Sequence, residues 1–150
     1  MTHQNLENTL RELRLSGLSQ TLPVRLQEAV AQESDPLRQF KRLLQIHLEL
    51  ADEFQREARI FFLNADQLDS SRSSRQREIQ RAVLAVYVDV ITRLRKQGYV
   101  KSRYPKIVAF NVLGVINWML RWYRQDGKLA PAEIRREIIG FVLRGVGVPE

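Results

Sequence analysis

The chain contains no cysteine. This excludes a disulfide framework, a thiolate metal site and a cysteine nucleophile. Histidine is almost as scarce, with only His3 and His47, too few for a His-rich metal cluster. No stretch alternates β-branched and polar residues between turn signals, so strands are not expected. There is no Gly-rich phosphate loop, no nucleophile elbow and no metal-ligand spacing. Most acids fall on polar faces or in loops, and no pair of carboxylates lies in an apolar setting. Asp89, near Tyr87, is a lone acid. The expectation is a non-enzyme with no catalytic residue, no metal and no cofactor.

Long hydrophobic segments are also missing. The first thirty residues are polar and amphipathic, unlike a signal peptide. The longest apolar run, Ile107 to Leu120, spans 14 residues and is interrupted by Asn111 and Asn117. A membrane span needs about 20 apolar residues. The run therefore reads as a buried helix, and a cytoplasmic protein without membrane contact is expected.

What is present is helical periodicity throughout 150 residues, enough for one domain with a real core. The net charge is +7 and the isoelectric point is near 10.2, which favours anionic partners without choosing among them. The charge is uneven. Residues 1–34 hold Arg11, Arg14 and Arg25 against Glu7, Glu12, Glu28 and Glu33, so the remainder carries +8. Two basic clusters stand out, Arg72, Arg75, Arg77 and Arg81, and then Arg93, Arg95, Lys96, Lys101, Arg103 and Lys106. They either track a phosphate backbone or form the solvated faces of amphipathic helices. The absence of interleaved aromatics favours the second.

The spacing predicts a helix from about Asn5 to Leu15, ended by Ser16-Gly17. A second follows to Gln32, regular from about Thr21 because Pro23 suits only a first turn. Asp35 caps a third helix and Pro36 starts it. Its stripe is Leu37, Phe40, Leu43, Leu44, His47, Leu48, Ala51 and Phe54, with a continuation or kink through residues 56–65. Residues 66–74 read as a loop and Gln76 to Gln97 as a long helix stopped by Gly98. Two further helices, about Pro105–Gln125 and Pro131–Arg144, are joined by a glycine turn.

The first of these last two helices is apolar nearly all round, so it needs cover on more than one side. A second subunit supplies that cover if both helices enter a four-helix interface. Gly114 and Gly140 would permit close approach, Trp118 and Trp122 lie on one side, and Ile134, Ile138, Phe141, Val142 and Gly145 form the stripe of the last helix. His47 is either a polar contact inside a ligand cavity or a satisfied core histidine. Asn111 and Asn117 either meet a ligand, fix the register of an interface, or face water.

Residues Leu113 to Ile134, LGVINWMLRWYRQDGKLAPAEI, and the FVLRGV tail from Phe141 to Val146 resemble the C-terminal domain of tetracycline-repressor-type (TetR-family) regulators. Gly114, Asn117-Trp118, Arg121-Trp122-Tyr123-Arg124, Gly127, Leu129, Pro131 and Glu133 carry the likeness over residues 35–150. Ala130 departs from it, since a Ser or Thr cap usually precedes the proline. The resemblance implies an all-α domain that dimerises through a four-helix bundle of its last two helices. It also implies a cavity for a hydrophobic effector, of acyl or acyl-CoA type. The lining expected is His47, Phe54, Phe61, Tyr87, Phe110 and Asn117. The subunit interface expected is Gly114, Trp118, Arg121, Trp122, Ile138, Phe141, Val142 and Gly145. Residues 1–34 do not resemble the family's DNA-binding helix-turn-helix. Residues 7–32, centred on Leu10-Arg11-Glu12-Leu13-Arg14-Leu15, are instead similar to the N-terminal helical segment of IstB-like insertion-sequence helper ATPases. The expectation is a homodimeric regulatory module, natural or engineered as a fusion, that does not bind DNA by itself. The alternatives are a nucleic-acid-binding transposition accessory and a self-association scaffold.

Overall fold

A computed structural model describes residues 3–57, 59 and 70–150, leaving aside the side chains of residues 7–20 and 70–73. The described residues form helices and connecting segments, with no strand among them. The principal helices are α1 (His3–Ala31), α2 (Pro36–Glu53), α3 (Ser70–Lys96), α4 (Pro105–Trp122) and α5 (Pro131–Val146).

α1 is one helix of 29 residues that runs through both Ser16-Gly17 and Pro23. The expected break does not occur. A Ser-Gly pair ends a helix only when the glycine adopts the left-handed cap, and within a helix it costs about 1 kcal/mol. Tertiary packing offsets that cost, because Leu22, Leu26 and Ala29 are buried at helical spacing in the same core as the later helices. α2 begins as expected. The extended Asp35 (φ −87°, ψ 125°) accepts the Arg38 backbone N–H at 3.2 Å, and Pro36 occupies the first position. Phe40, Leu43, Leu44 and Leu48 are wholly buried, each worth about 1.5–3 kcal/mol of transfer free energy.

α3 starts at Ser70, six residues before the expected Gln76. Its Ser- and Arg-rich first turns have no apolar stripe to announce them, although arginine is a good helix former. Val83, Tyr87, Val90, Ile91 and Leu94 face the core. Gly98 closes α3 at φ +89°. Its N–H donates to the Arg95 carbonyl at 3.0 Å, and the next N–H, of Tyr99, reaches back to Leu94 at 3.1 Å, the paired closure of a Schellman cap. α4 stops at Trp122, three residues before the expected end, with Tyr123 extended. α5 ends at Gly147 in the same left-handed conformation as Gly98.

α1, α2 and α3 pack on one another, α4 lies on α3, and α5 packs on α2 and α4. Buried Gln39 ties three helices together. Its amide nitrogen donates to the Val30 carbonyl (2.9 Å) and the Glu33 carbonyl (2.6 Å), and its oxygen accepts from Arg93, which also holds Asp89 at 2.9 Å. Satisfying every polar atom is what makes a buried amide tolerable.

Candidate functional site

A cavity of about 430 Å³ lies between α2, α3 and α4. Its walls come from His47 on α2, from Arg77, Gln80, Arg81, Val83 and Leu84 on α3, and from Phe110, Leu113, Gly114 and Asn117 on α4. An apolar concavity with a few convergent polar groups has the make-up of a small-molecule site.

His47 is the deepest polar group, and its Nδ1 lies 2.7 Å from the Tyr87 hydroxyl. The two rings are tilted at 48° with centroids 5.7 Å apart. Burial lowers the His47 pKa to about 4 and pushes the Tyr87 phenol well up, so both are neutral at pH 7. The tautomer follows from hydrogen-bond satisfaction. If Tyr87 O–H donates to Nδ1, both groups are satisfied; the reverse arrangement would strand the phenolic proton. Nε2 then carries the imidazole hydrogen, on a residue that lines the cavity.

Of the expected lining residues, the structure brings His47, Phe110 and Asn117 together. Tyr87 stands behind His47 and orients it rather than lining the space. Phe54 terminates α2 as its half-buried cap and is not among the lining residues. Phe61 lies outside the described residues. Arg77 and Arg81 were read as a solvated cluster, yet both line the cavity. The available signal was their step of four, continued by Leu84, which sets all three on one face of α3. Neither guanidinium makes a hydrogen bond or ion pair with a described residue.

The other sides of α4 are different. Ala109, Val112, Ile116, Met119 and Leu120 are buried against the core. Ile107, Phe110, Trp118 and Trp122 are each more than half exposed, as is Phe141 on α5. Arg121 stacks its guanidinium 5.4 Å from the Trp118 ring. Between α4 and α5 a groove of about 230 Å³ is lined by Val108, Asn111, Val115, Phe141, Val142 and Gly145, with others. Two of the expected interface residues move. Ile138 is only 7% exposed and faces the chain's own core, and Val142, 3% exposed, forms the floor of the groove. Gly114 remains exposed but also lines the cavity.

Asp52 joins α2 to the segment after α4 and to α5. It accepts the Tyr123 hydroxyl at 2.7 Å and the Gln125 amide at 3.1 Å, and pairs with Arg135 at 3.2 Å. Burial, then the hydrogen bond and charge of Asp52, push the Tyr123 pKa up to about 12, against the opposing pull of Arg135. Arg59 donates to the Leu120 carbonyl (2.6 Å) and the Tyr123 carbonyl (3.2 Å), and Gln55 also reaches the latter. The C-terminal end of α4 is therefore held by polar contacts. No local pattern announces Asp52, because its partners lie more than seventy residues away.

No curated protein matches the chain. Solved structures do. A TetR/AcrR-family transcriptional regulator from Thermobifida fusca superposes with a TM-score of 0.81 at 19% identity, covering 93% of this chain and 73% of that one. The ketosteroid transcriptional regulator KstR2 of Mycobacterium tuberculosis gives 0.82 at 22% identity, over 95% and 74%. AibR, in complex with isovaleryl coenzyme A and operator DNA, gives 0.67 at 16% identity, over 85% and 71%. These TM-scores establish a shared fold, and at such identities the likeness is one of fold alone. That fold reaches beyond residues 33–146 into α1. Residues 33–146 match the family model described as "Tetracyclin repressor-like, C-terminal domain", and the chain belongs to that family of transcriptional-regulator domains.

Proposed function

We propose that the chain is a homodimeric effector-binding module, joined through α4 and α5 of two copies in a four-helix bundle. One observation carries the reading: α4 walls a cavity with Phe110, Leu113 and Asn117 while leaving Trp118 and Trp122 in water. A helix with that double exposure is suited to report occupancy on one side to a partner on the other. A symmetric pairing would place the same stripe on both copies and would bury the Trp118, Trp122 and Phe141 side chains. The presence of isovaleryl coenzyme A in the similar AibR structure supports an acyl-type effector.

Among the basic residues of α3, Arg77 and Arg81 line the cavity and Arg93 bonds Gln39 and Asp89, and on this reading DNA is not held by these 150 residues alone. The continuity of α1, a single helix where a DNA reader would need two, supports that part. Sedimentation at micromolar concentration tests the proposal. The expected mass is twice the chain's 17.6 kDa, and a monomer at that concentration would refute it. A salt-dependent gel shift with random duplex DNA would favour the nucleic-acid accessory instead.

A further inference from the structure

The effector cavity has a charged rim. Arg77 and Arg81 are exposed, lie one turn apart on α3 and are unpaired with any described residue. No acidic side chain is among the lining residues. Val83 is buried and Leu84 and Leu113 are half-buried in the cavity wall, Phe110 forms an exposed apolar edge, and His47 is the most buried of the polar lining groups. Charge at the mouth and apolar surface within describe a ligand with the reverse arrangement.

We infer that the cavity takes a free medium-chain carboxylic acid, its chain against Val83, Leu84, Phe110 and Leu113 and its carboxylate between Arg77 and Arg81. This rests on the effector-cavity reading above and adds the headgroup. Two features favour the free acid over its coenzyme A thioester. The first is volume. At about 30 Å³ per heavy atom, the share a water molecule takes in the liquid, 430 Å³ holds on the order of fourteen heavy atoms, a chain of about ten carbons with its carboxylate. The second is position. A thioester filling the cavity would bring a neutral group to the rim, with its phosphates removed by the whole pantetheine arm. Two arginine forks at the rim match a carboxylate there. His47 Nε2 adds a single neutral donor at depth, compatible with a hydroxyl or keto substituent on the chain.

Calorimetric titration of the full chain with decanoate, 1-decanol and decanoyl coenzyme A tests this. Wild type and the R77Q/R81Q double variant are compared, after circular dichroism shows equal helicity. Decanoate should bind wild type about tenfold more tightly than decanol, the lower range for charge-assisted bonds at an exposed rim. In the double variant that preference should fall below about twofold while decanol binding stays unchanged, the rim contribution having been removed. Equal binding of decanoate and decanol to wild type, or a preference that survives in the variant, overturns the carboxylate clamp while the cavity stands. So does tighter binding of decanoyl coenzyme A than of decanoate. If none of the three binds, the effector-cavity reading itself falls, and this inference with it.

Discussion

α2 and α4 are each 18 residues long and bury themselves in opposite proportion to their apolarity. α2 carries charge along its outer face, yet ten of its residues are buried. α4 is apolar nearly all round and buries five. The difference is positional. α2 lies between α1 and α3 and meets α5 at its end, so its stripe is enclosed. Among the described residues, α4 packs on α3 and α5, and its Ile107, Phe110, Trp118 and Trp122 stay more than half exposed. Monomeric surfaces seldom carry such an apolar stretch without an interaction to explain it.

Two phenylalanines break the comparison most directly. Phe40 on α2 is fully buried and Phe141 on α5 is 60% exposed. Phe40→Ala should lower unfolding free energy by about 4 kcal/mol, since it leaves a cavity in a packed core. Phe141→Ala should leave the isolated fold nearly unchanged and weaken self-association by about 2 kcal/mol per copy, the size of an interface anchor. Urea unfolding reads the first and sedimentation equilibrium the second. A loss of melting temperature in Phe141→Ala should disappear on dilution, as dissociation makes the comparison concentration-independent. A dilution-independent loss would mean that Phe141 supports the fold and not a partner.

α2 also holds buried His47, hydrogen-bonded to Tyr87 on α3, and pH sharpens what its enclosure costs. His47 has an ordinary pKa of 6.5 and is lowered to about 4 by burial. The folded state thus resists a proton that the unfolded chain accepts. The stability tied to this difference is present above pH 6.5 and is lost as pH falls through 4. The two values correspond to about 3 kcal/mol. His47→Gln removes the titration. The stability gap between wild type and this variant should therefore narrow by about 3 kcal/mol from pH 7.5 to pH 4 in denaturant melts. A constant gap would mean that the imidazole is solvated in the fold.

The sequence showed α2 clearly because its stripe, its Asp35-Pro36 start and its apolar periodicity are all local. The same holds for Gly98 and for the proline starts of α4 and α5. α1 was harder to read, since Ser16-Gly17 and Pro23 are genuine breakers that long-range packing of Leu22 and Leu26 overrides. The site divided along the same line. His47, Phe110 and Asn117 were visible as polar or bulky residues on apolar faces. Arg77 and Arg81 were not, because a rim residue has the sequence signature of any solvated arginine until another helix forms the opposite wall. Gln39 and Asp52 were missed for a related reason: their hydrogen-bond partners include residues on distant helices, and periodicity carries no information about those.

The smallest expected effect separates stability from assembly on the exposed side of the comparison. Ala130 stands at the cap position of α5 with extended backbone (φ −64°, ψ 144°) and offers no side-chain acceptor. The Glu133 N–H reaches only the Ala130 carbonyl, at 3.0 Å. Ala130→Ser would place a hydroxyl beside that N–H, with Glu133 three residues on, and so complete a capping box of Ser and Glu around Pro131. The backbone already has the required conformation, so no rearrangement opposes the gain of about 1 kcal/mol. Because Ala130 precedes the helix and the exposed stripe lies around Phe141, dimer affinity should not change. A higher melting temperature with an unaltered sedimentation isotherm is the expected pair of results. A change in the isotherm would place the start of α5, and not only its exposed second half, against the partner.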